Sequence, residues 1–206
     1  PMDIGGRYSV FSNVGLLPAC IGGLNISDVR LGAYDLLQEV YAGNFTEHLK
    51  SSELIFSLYE EKKINISVIM TYADSLINFG KWYLQLWSES IGKNLKGITP
   101  MHSIGTIDQH SQLQLYLDGP KDKFFSIFTK NHSNLGMKMN DEILLKCNVN
   151  YLAGKKMGDL MHAERQATLD TFVSKGFPIR EIYCEEINEF TIGQLMVFSI
   201  LETISI

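Results

Sequence analysis

Residues 64–87, INISVIMTYADSLINFGKWYLQLW, decide the fold of this chain. Four of the first seven, INISVIM, are β-branched, and so short a segment rich in β-branched residues predicts a buried strand. From residue 74 to residue 87 the apolar side chains recur at helical spacing, which predicts a helix with one apolar stripe. A buried strand followed at once by an amphipathic helix is typical of a parallel α/β sheet.

The rest of the chain repeats this alternation of strands and helices. Ser27 and Asn44 are the predicted N-caps of the second and third helices. Strands are predicted at 124–129, 144–149 and 179–187, and a loop at 92–103. Helices are predicted at 11–21, 28–42, 44–62, 107–117, 151–174 and 191–206. The expected fold is α/β, a Rossmann-like three-layer sandwich in which helices flank a mostly parallel sheet.

Composition limits the possible functions. A chain of 206 residues with 45% apolar and 20% charged residues is typical of one globular domain, here 1–206. The net charge of −5 disfavours non-specific nucleic-acid binding, and no apolar run approaches the roughly 18 residues of a membrane span. The three cysteines, Cys20, Cys147 and Cys184, are widely spaced, which predicts reduced thiols in a cytoplasmic protein and no zinc site.

Both ends of the chain are abrupt. No methionine precedes Pro1, and the last predicted helix runs into Ile206 without a cap or a polar tail. This pattern predicts a piece of a longer chain. A terminal proline could also be the catalytic amine of a tautomerase, but no other feature of the sequence supports that interpretation.

Two polar side chains near residue 87 are candidates for chemistry. Glu89 follows Gln85 by four residues, so both lie on one helix face if the helix continues that far. A carboxylate beside an amide could be a general base beside a group that positions a substrate. Taken alone, the same pair is more typical of a solvated helix end, and the sequence leaves open which edge of the sheet Glu89 faces.

Two further candidates lie far from Glu89 in the sequence. His110 falls in the first turn of a predicted helix, whose positive end suits an anionic ligand, although it could also be a packed histidine. Arg7 follows Gly5 and Gly6, a pair that predicts a tight loop, and its guanidinium could hold an anion or remain an ordinary surface group. No strand is followed by a P-loop or a GxGxxG motif, so no nucleotide cofactor is expected.

Three motifs, taken in order, resemble one family. They are 3–10, DIGGRYSV, with the GLLP at 15–18; 88–93, SESIGK; and 105–111, GTIDQHS. Together they closely resemble the glucose-6-phosphate isomerases, and the resemblance covers essentially the whole chain. Three ordered motifs are far more specific than any one of them, so the structural interpretations of Arg7, Glu89 and His110 become the minor ones.

The resemblance implies a reaction and roles for these residues. It implies the reversible interconversion of glucose 6-phosphate and fructose 6-phosphate through a cis-enediol, without a metal or redox cofactor. By this resemblance Glu89 transfers the proton, Arg7 stabilises the enediolate, His110 assists ring opening and Gln85 contacts the substrate. The carboxylate suits its role because one group must act as base and then as acid.

The same resemblance predicts what lies outside this chain. It corresponds to the second of two sugar-isomerase (SIS) domains of an enzyme that forms homodimers. The phosphate-binding loop of the first domain and a lysine near the C-terminus would then lie beyond the ends of the chain. A non-catalytic sugar-phosphate-binding module and a purely structural dimerisation domain remain alternatives, although neither explains why Glu89, His110 and Arg7 occur together.

Overall fold

A four-stranded parallel sheet forms the middle layer of the domain. The computed structural model describes residues 4–206, so Pro1 and the first residue of the DIGGRYSV motif lie outside the described residues. The strands pair in the order β2-β1-β3-β4, and every pairing is parallel. The strands are β1 (Ile66–Tyr72), β2 (Thr99–Ile104), β3 (Lys123–Lys130) and β4 (Ile179–Cys184).

Helices cover both faces of this sheet, which confirms the predicted α/β sandwich. The α-helices are α1 (Asn13–Ile21), α2 (Ile26–Tyr41), α3 (Glu47–Lys62), α4 (Ile77–Ile91), α5 (Ile107–Asp118), α6 (Asp141–Lys146), α7 (Met157–Ser174) and α8 (Glu189–Ser205). Short 3₁₀ helices occupy Gly6–Phe11, Asp74–Leu76 and Asn150–Leu152. Within residues 4–206, no helix is both long enough and apolar enough to cross a membrane.

The apolar core is divided in two by the sheet, because alternate side chains of a strand point to opposite faces. On one face Ile69 and Phe128 pack with α3, α4 and α8. On the other face Met70 and Phe125 pack with α5 and α7. The core members of β1 and β3 are fully or nearly fully buried on both faces, which is why their sequences are almost continuously apolar.

Helix α2 lies outside α8, and two glycines allow a close approach there. A Cβ on Gly32 would lie 1.9 Å from the carbonyl oxygen of Phe190, and one on Gly193 would lie 2.1 Å from that of Val29. Real Cβ atoms do not come so close to backbone atoms, so the two helix backbones could not keep this separation with larger residues.

We therefore expect Gly32→Ala to destabilise the protein. Alanine favours a helix by about 1 kcal/mol over glycine, but here the added methyl must push two backbones apart, and overpacking of this kind costs about 1–3 kcal/mol. Equilibrium denaturation measures the effect, with Ser27→Ala, exposed on the same helix, as control. An unchanged or increased stability of Gly32→Ala would show that α2 can move away without cost.

A buried ion pair joins β4 to α8. Glu202 is fully buried, and its carboxylate accepts hydrogen bonds from Arg180, from Tyr83 Oη at 2.7 Å and from Ser51 Oγ at 2.5 Å. Arg180 also donates from Nε to Ser126 Oγ at 2.8 Å. Every group in this cluster has a partner, which is the condition for tolerating charge in a core.

Two predicted segments are wrong. The predicted loop at 92–103 contains the edge strand β2, which pairs with β1 from Thr99 onward. The first half of the predicted strand at 144–149 lies in the short helix α6, and the second half is not a strand either. The N-cap of α6, Asn140, accepts hydrogen bonds from Glu142 N and Ile143 N. A capping side chain at the right position outweighs the strand propensity of a short apolar run.

The predicted N-caps also differ from the structure. Asn25, not Ser27, caps α2, since its side chain accepts hydrogen bonds from Ser27 N and Asp28 N. Asn44 does not cap α3: the helix begins at Glu47 after Thr46, and the Glu47 carboxylate accepts a hydrogen bond from Thr46 N at 2.9 Å.

Candidate active site

Gln85 and Glu89 form one half of the candidate site. Helix α4 continues to Ile91, beyond the predicted end at residue 87, so both side chains lie on the same helix face one turn apart. Gln85 Nε2 donates a hydrogen bond to Glu89 Oε1 at 2.9 Å. The Glu89 side chain is 47% exposed, so a substrate can reach its second oxygen.

Arg7 brings a positive charge to this carboxylate from the other end of the sequence. Its Nη1 lies 4.0 Å from Glu89 Oε2, and its Nε donates a hydrogen bond to Ser90 Oγ at 2.7 Å. The guanidinium also lies over the ring of Tyr8, with Cζ 4.6 Å from the ring centroid. Side chains from two distant segments therefore meet at the C-terminal end of α4.

The loop predicted at Gly5 and Gly6 is instead the start of a 3₁₀ helix, Gly6–Phe11. Gly5 is extended, with φ −61° and ψ 149°, and neither glycine has a positive φ. A Cβ on Gly6 would meet no atom within 4 Å. The backbone beside Arg7 is therefore open, and a ligand could approach it closely.

Glu89 and His110 lie at opposite ends of the strands: Glu89 is near their amino ends and His110 is near their carboxyl ends. Trp87, two residues before Glu89, donates a hydrogen bond to the Ile98 carbonyl at 2.8 Å, just before β2 begins. His110 lies in the first turn of α5, which follows the end of β2. The six residues of β2 span roughly 17 Å from the amino end to the carboxyl end of the strand. One chain therefore does not bring His110 to Glu89.

Contacts with Asp108 and Tyr72 hold the turn that leads into α5 and His110. Asp108 Oδ2 accepts a hydrogen bond from Ile104 N at 2.7 Å and so secures the turn into α5. Gly105 lies against the ring of Tyr72, where a Cβ would come within 2.6 Å of the ring carbons. His110 itself is exposed, so it is available to a molecule that docks on this edge.

Three of the other four histidines fit structural roles. His102 Nε2 is hydrogen-bonded to Thr71 Oγ1 at 3.0 Å, His132 Nε2 contacts the Tyr72 carbonyl at 2.5 Å, and His48 is buried against Phe45. No group of three or more His, Cys, Asp or Glu side chains among residues 4–206 is placed to hold a metal ion.

A cavity of about 400 Å³ adjoins the Arg7–Glu89 cluster. Residues from three segments line it: Tyr8, Ser90, Ile91, Lys93, Thr203, Ile204 and Ile206. Its walls mix hydroxyl groups, one lysine and apolar side chains, which is a lining that can take a polar ligand with a negative charge.

Two residues of the cluster, Tyr8 and Ser90, have no role in the predictions from sequence. Each directly follows a candidate residue, Tyr8 after Arg7 and Ser90 after Glu89, and each lies inside a motif. Adjacency in the motifs is the only signal that could have identified them, because their contact with one another requires the folded chain.

Known proteins match the chain over almost its full length. The glucose-6-phosphate isomerase of Rubrobacter xylanophilus is 37% identical over 199 residues, which cover 95% of this chain and 46% of that enzyme. The enzyme of the same name from Methanocaldococcus jannaschii is 38% identical over 205 residues, covering 95% of this chain and 48% of that enzyme. This chain is a relative of the glucose-6-phosphate isomerases. It spans about half the length of the curated isomerases it matches, and no protein-family model matches it.

Two solved structures share the fold of this chain. The crystal structure of a hypothetical protein from Thermus thermophilus superposes on 100% of this chain with a TM-score of 0.87 at 28% identity, covering 50% of that chain. A glucose-6-phosphate isomerase from Chlamydia trachomatis superposes with a TM-score of 0.73 at 17% identity, covering 42% of its length, and supports the fold alone.

Proposed function

We propose that the complete protein is a glucose-6-phosphate isomerase and that this chain is one sugar-isomerase domain of it. The observation that carries the proposal is the meeting of Arg7, Gln85 and Glu89 at one end of α4. Arg7 and Glu89 come from two of the three motifs that resemble the isomerases. The relatives extend well beyond the matched region, which is consistent with a second domain.

In the proposed reaction Glu89 transfers one proton between two carbons. Its carboxylate removes the C2 proton of the open-chain aldose, and the C1 carbonyl oxygen takes up the electron pair. Arg7, beside this carboxylate, offsets the negative charge on the enediolate oxygens. The proton of the C2 hydroxyl then passes to O1, and Glu89 returns its proton to C1, which leaves a ketone at C2. The hydrogen bond from Gln85 holds the carboxylate in place.

His110 takes part in ring opening in this proposal, and its position calls for a second subunit. Because Glu89 and His110 of one chain lie at opposite ends of the strands, we propose that His110 of the partner subunit completes each site in a homodimer. The proposed substrate is a sugar phosphate, and the proposed location is the cytoplasm. The net charge of −5 supports the absence of a nucleic-acid partner.

The test compares the full-length protein with the 206-residue chain, each measured for phosphosugar binding and for interconversion of glucose 6-phosphate and fructose 6-phosphate by NMR. We expect turnover by the full-length protein and little or none by the chain alone, since binding energy from a remote phosphate helps to lower the barrier at the reacting carbons. Binding without turnover in the full-length protein would favour a non-catalytic module, and neither activity would favour a structural domain.

A further inference from the structure

We propose that Ser90, supported by Tyr8, is a positioning residue that aims Arg7 at the reacting oxygens. This inference rests on the proposed function and adds to it two residues that contact neither carbon of the reaction. It follows from how one edge and one face of the Arg7 guanidinium are held.

Ser90 fixes the Nε edge of Arg7. The Nε–H donates to Ser90 Oγ at 2.7 Å, and the same Oγ is 3.0 Å from Tyr8 Oη. The contact joins residues 83 positions apart, so it attaches the 3₁₀ segment that carries Arg7 to the end of α4 that carries Glu89. A hydrogen bond thus joins the motif that contains Arg7 directly to the motif that contains Glu89.

Tyr8 restricts the face of the guanidinium. Cζ of Arg7 lies 4.6 Å from the Tyr8 ring centroid, a distance at which the ring attracts a cation. With its Nε edge on Ser90 and one face on Tyr8, the planar group keeps few orientations. Among residues 4–206, no side chain or carbonyl accepts a hydrogen bond from Nη1 or Nη2, and Nη1 points toward Glu89 at 4.0 Å. The free edge is therefore the one nearest the proposed proton carrier.

The electrostatics of Tyr8 are consistent with this arrangement. Burial alone would raise the pKa of Tyr8, but its hydrogen bond to Ser90 and the charges of Arg7 and Lys93 outweigh burial and lower it. The hydroxyl thus experiences the positive charge that it helps to hold.

Arg7 must not move if it is to stabilise a charge that exists only in the transition state, because preorganised donors act without reorganising. Loss of Ser90 would leave Nε without a partner and let the long side chain rotate. The expected effect is a fall in kcat with little change in KM, since a charge that forms only during the reaction is not present in the bound substrate.

The test uses the full-length protein and three variants at position 90 and nearby. We expect Ser90→Ala to lower kcat about tenfold, the equivalent of one lost hydrogen bond of about 1.4 kcal/mol. Ser90→Thr, which keeps the hydroxyl, should retain most of the activity. Ser88→Ala, exposed on the same helix, is the matched control and should leave kcat unchanged.

A double-mutant cycle separates positioning from a general structural role. In the Arg7→Ala background, Ser90→Ala should have no further effect on kcat, because the residue on which it acts is gone. Additive losses, or an unchanged kcat in Ser90→Ala, would overturn the inference. Crystal structures of the wild-type protein and of Ser90→Ala provide a readout independent of turnover: Arg7 should leave Glu89 in the variant, and an unmoved Arg7 would overturn the inference. An inactive wild-type protein would overturn the proposed function, and the crystal structures would still decide the role of Ser90.

Discussion

Glu89→Gln is expected to lower the rate of C2 proton exchange in the full-length protein by about 10²–10⁴-fold, the usual contribution of a general base. Glutamine keeps the size of the side chain and its hydrogen-bonding capacity, but it cannot take up a proton. Exchange is measured by NMR from the loss of deuterium at C2 of labelled glucose 6-phosphate. Because Glu89 is half exposed and lies at a helix end, we expect the protein to remain as stable as the wild type.

The control for Glu89→Gln is Glu61→Gln, which removes one carboxylate from an exposed position on α3 and should leave exchange unchanged. Wild-type exchange in Glu89→Gln would show that another group is the base. A loss of exchange in both variants would point to the net charge of the protein and not to the site.

The second large effect is expected on stability, at the buried pair of Arg180 and Glu202. Glu202→Gln would leave the Arg180 guanidinium, whose side chain is only 14% exposed, without a counter-charge, and the loss of one partner of a fully buried pair costs about 3–5 kcal/mol, the upper limit expected here. Arg180→Met combined with Glu202→Leu removes both charges and fills similar volume, so it should cost far less than the single variant. Equilibrium denaturation measures both. A single variant within about 1 kcal/mol of the wild type would show that water or another group replaces the lost carboxylate.

The same pair predicts how stability depends on pH. Burial alone would raise the pKa of Glu202, but the charge of Arg180 and the hydrogen bonds from Arg180, Ser51 and Tyr83 lower it. A carboxyl group with a lowered folded-state pKa stabilises the fold above its unfolded pKa of about 4.3, and this contribution is lost as the pH falls further. Below that pH the wild-type protein should lose stability more steeply than the double variant.

Much of the fold was predictable because its central strands and their helices carry strong local patterns. Strands β1 and β3 are buried on both faces, so their sequences are short apolar runs bounded by polar residues. The edge strand β2 is different. Its sequence TPMHSI contains a proline and a histidine, and most of its residues are only partly buried, so hydrogen bonding to β1 decides its structure more than its own pattern does.

Tertiary contacts also change the environment of one charged pair in sequence, Glu164 and Arg165. Adjacent opposite charges in a helix are typical of an exposed face with pairing partners. Arg165 does pair with Glu181, but it is only 4% exposed, because α7 packs its side chain against β4. A pattern of charges in a helix can predict ion pairs, but it does not predict how far the packing of the helix on the sheet will bury them.

The candidate site was predictable in its parts but not in its assembly. The spacing of Gln85 and Glu89 predicts that they share a helix face, and the structure has this contact. The hydrogen bond from Arg7 to Ser90 joins segments that no local pattern relates. The separation of Glu89 from His110 follows only from the direction of α4, which runs from the carboxyl ends of the strands back to their amino ends.

The segment that carries Arg7 is less buried than the sheet, and the hydrogen bond from Arg7 to Ser90 is one of its attachments to the domain. None of the residues in Gly6–Phe11 is fully buried, whereas the sheet beneath α4 is buried on both faces. Segments with few buried contacts open at a small fraction of the free energy of global unfolding. We therefore expect this segment to open locally more often than the sheet does. The position of the Arg7 charge, which the proposed reaction needs, would then depend on this local opening and not on the global stability of the fold.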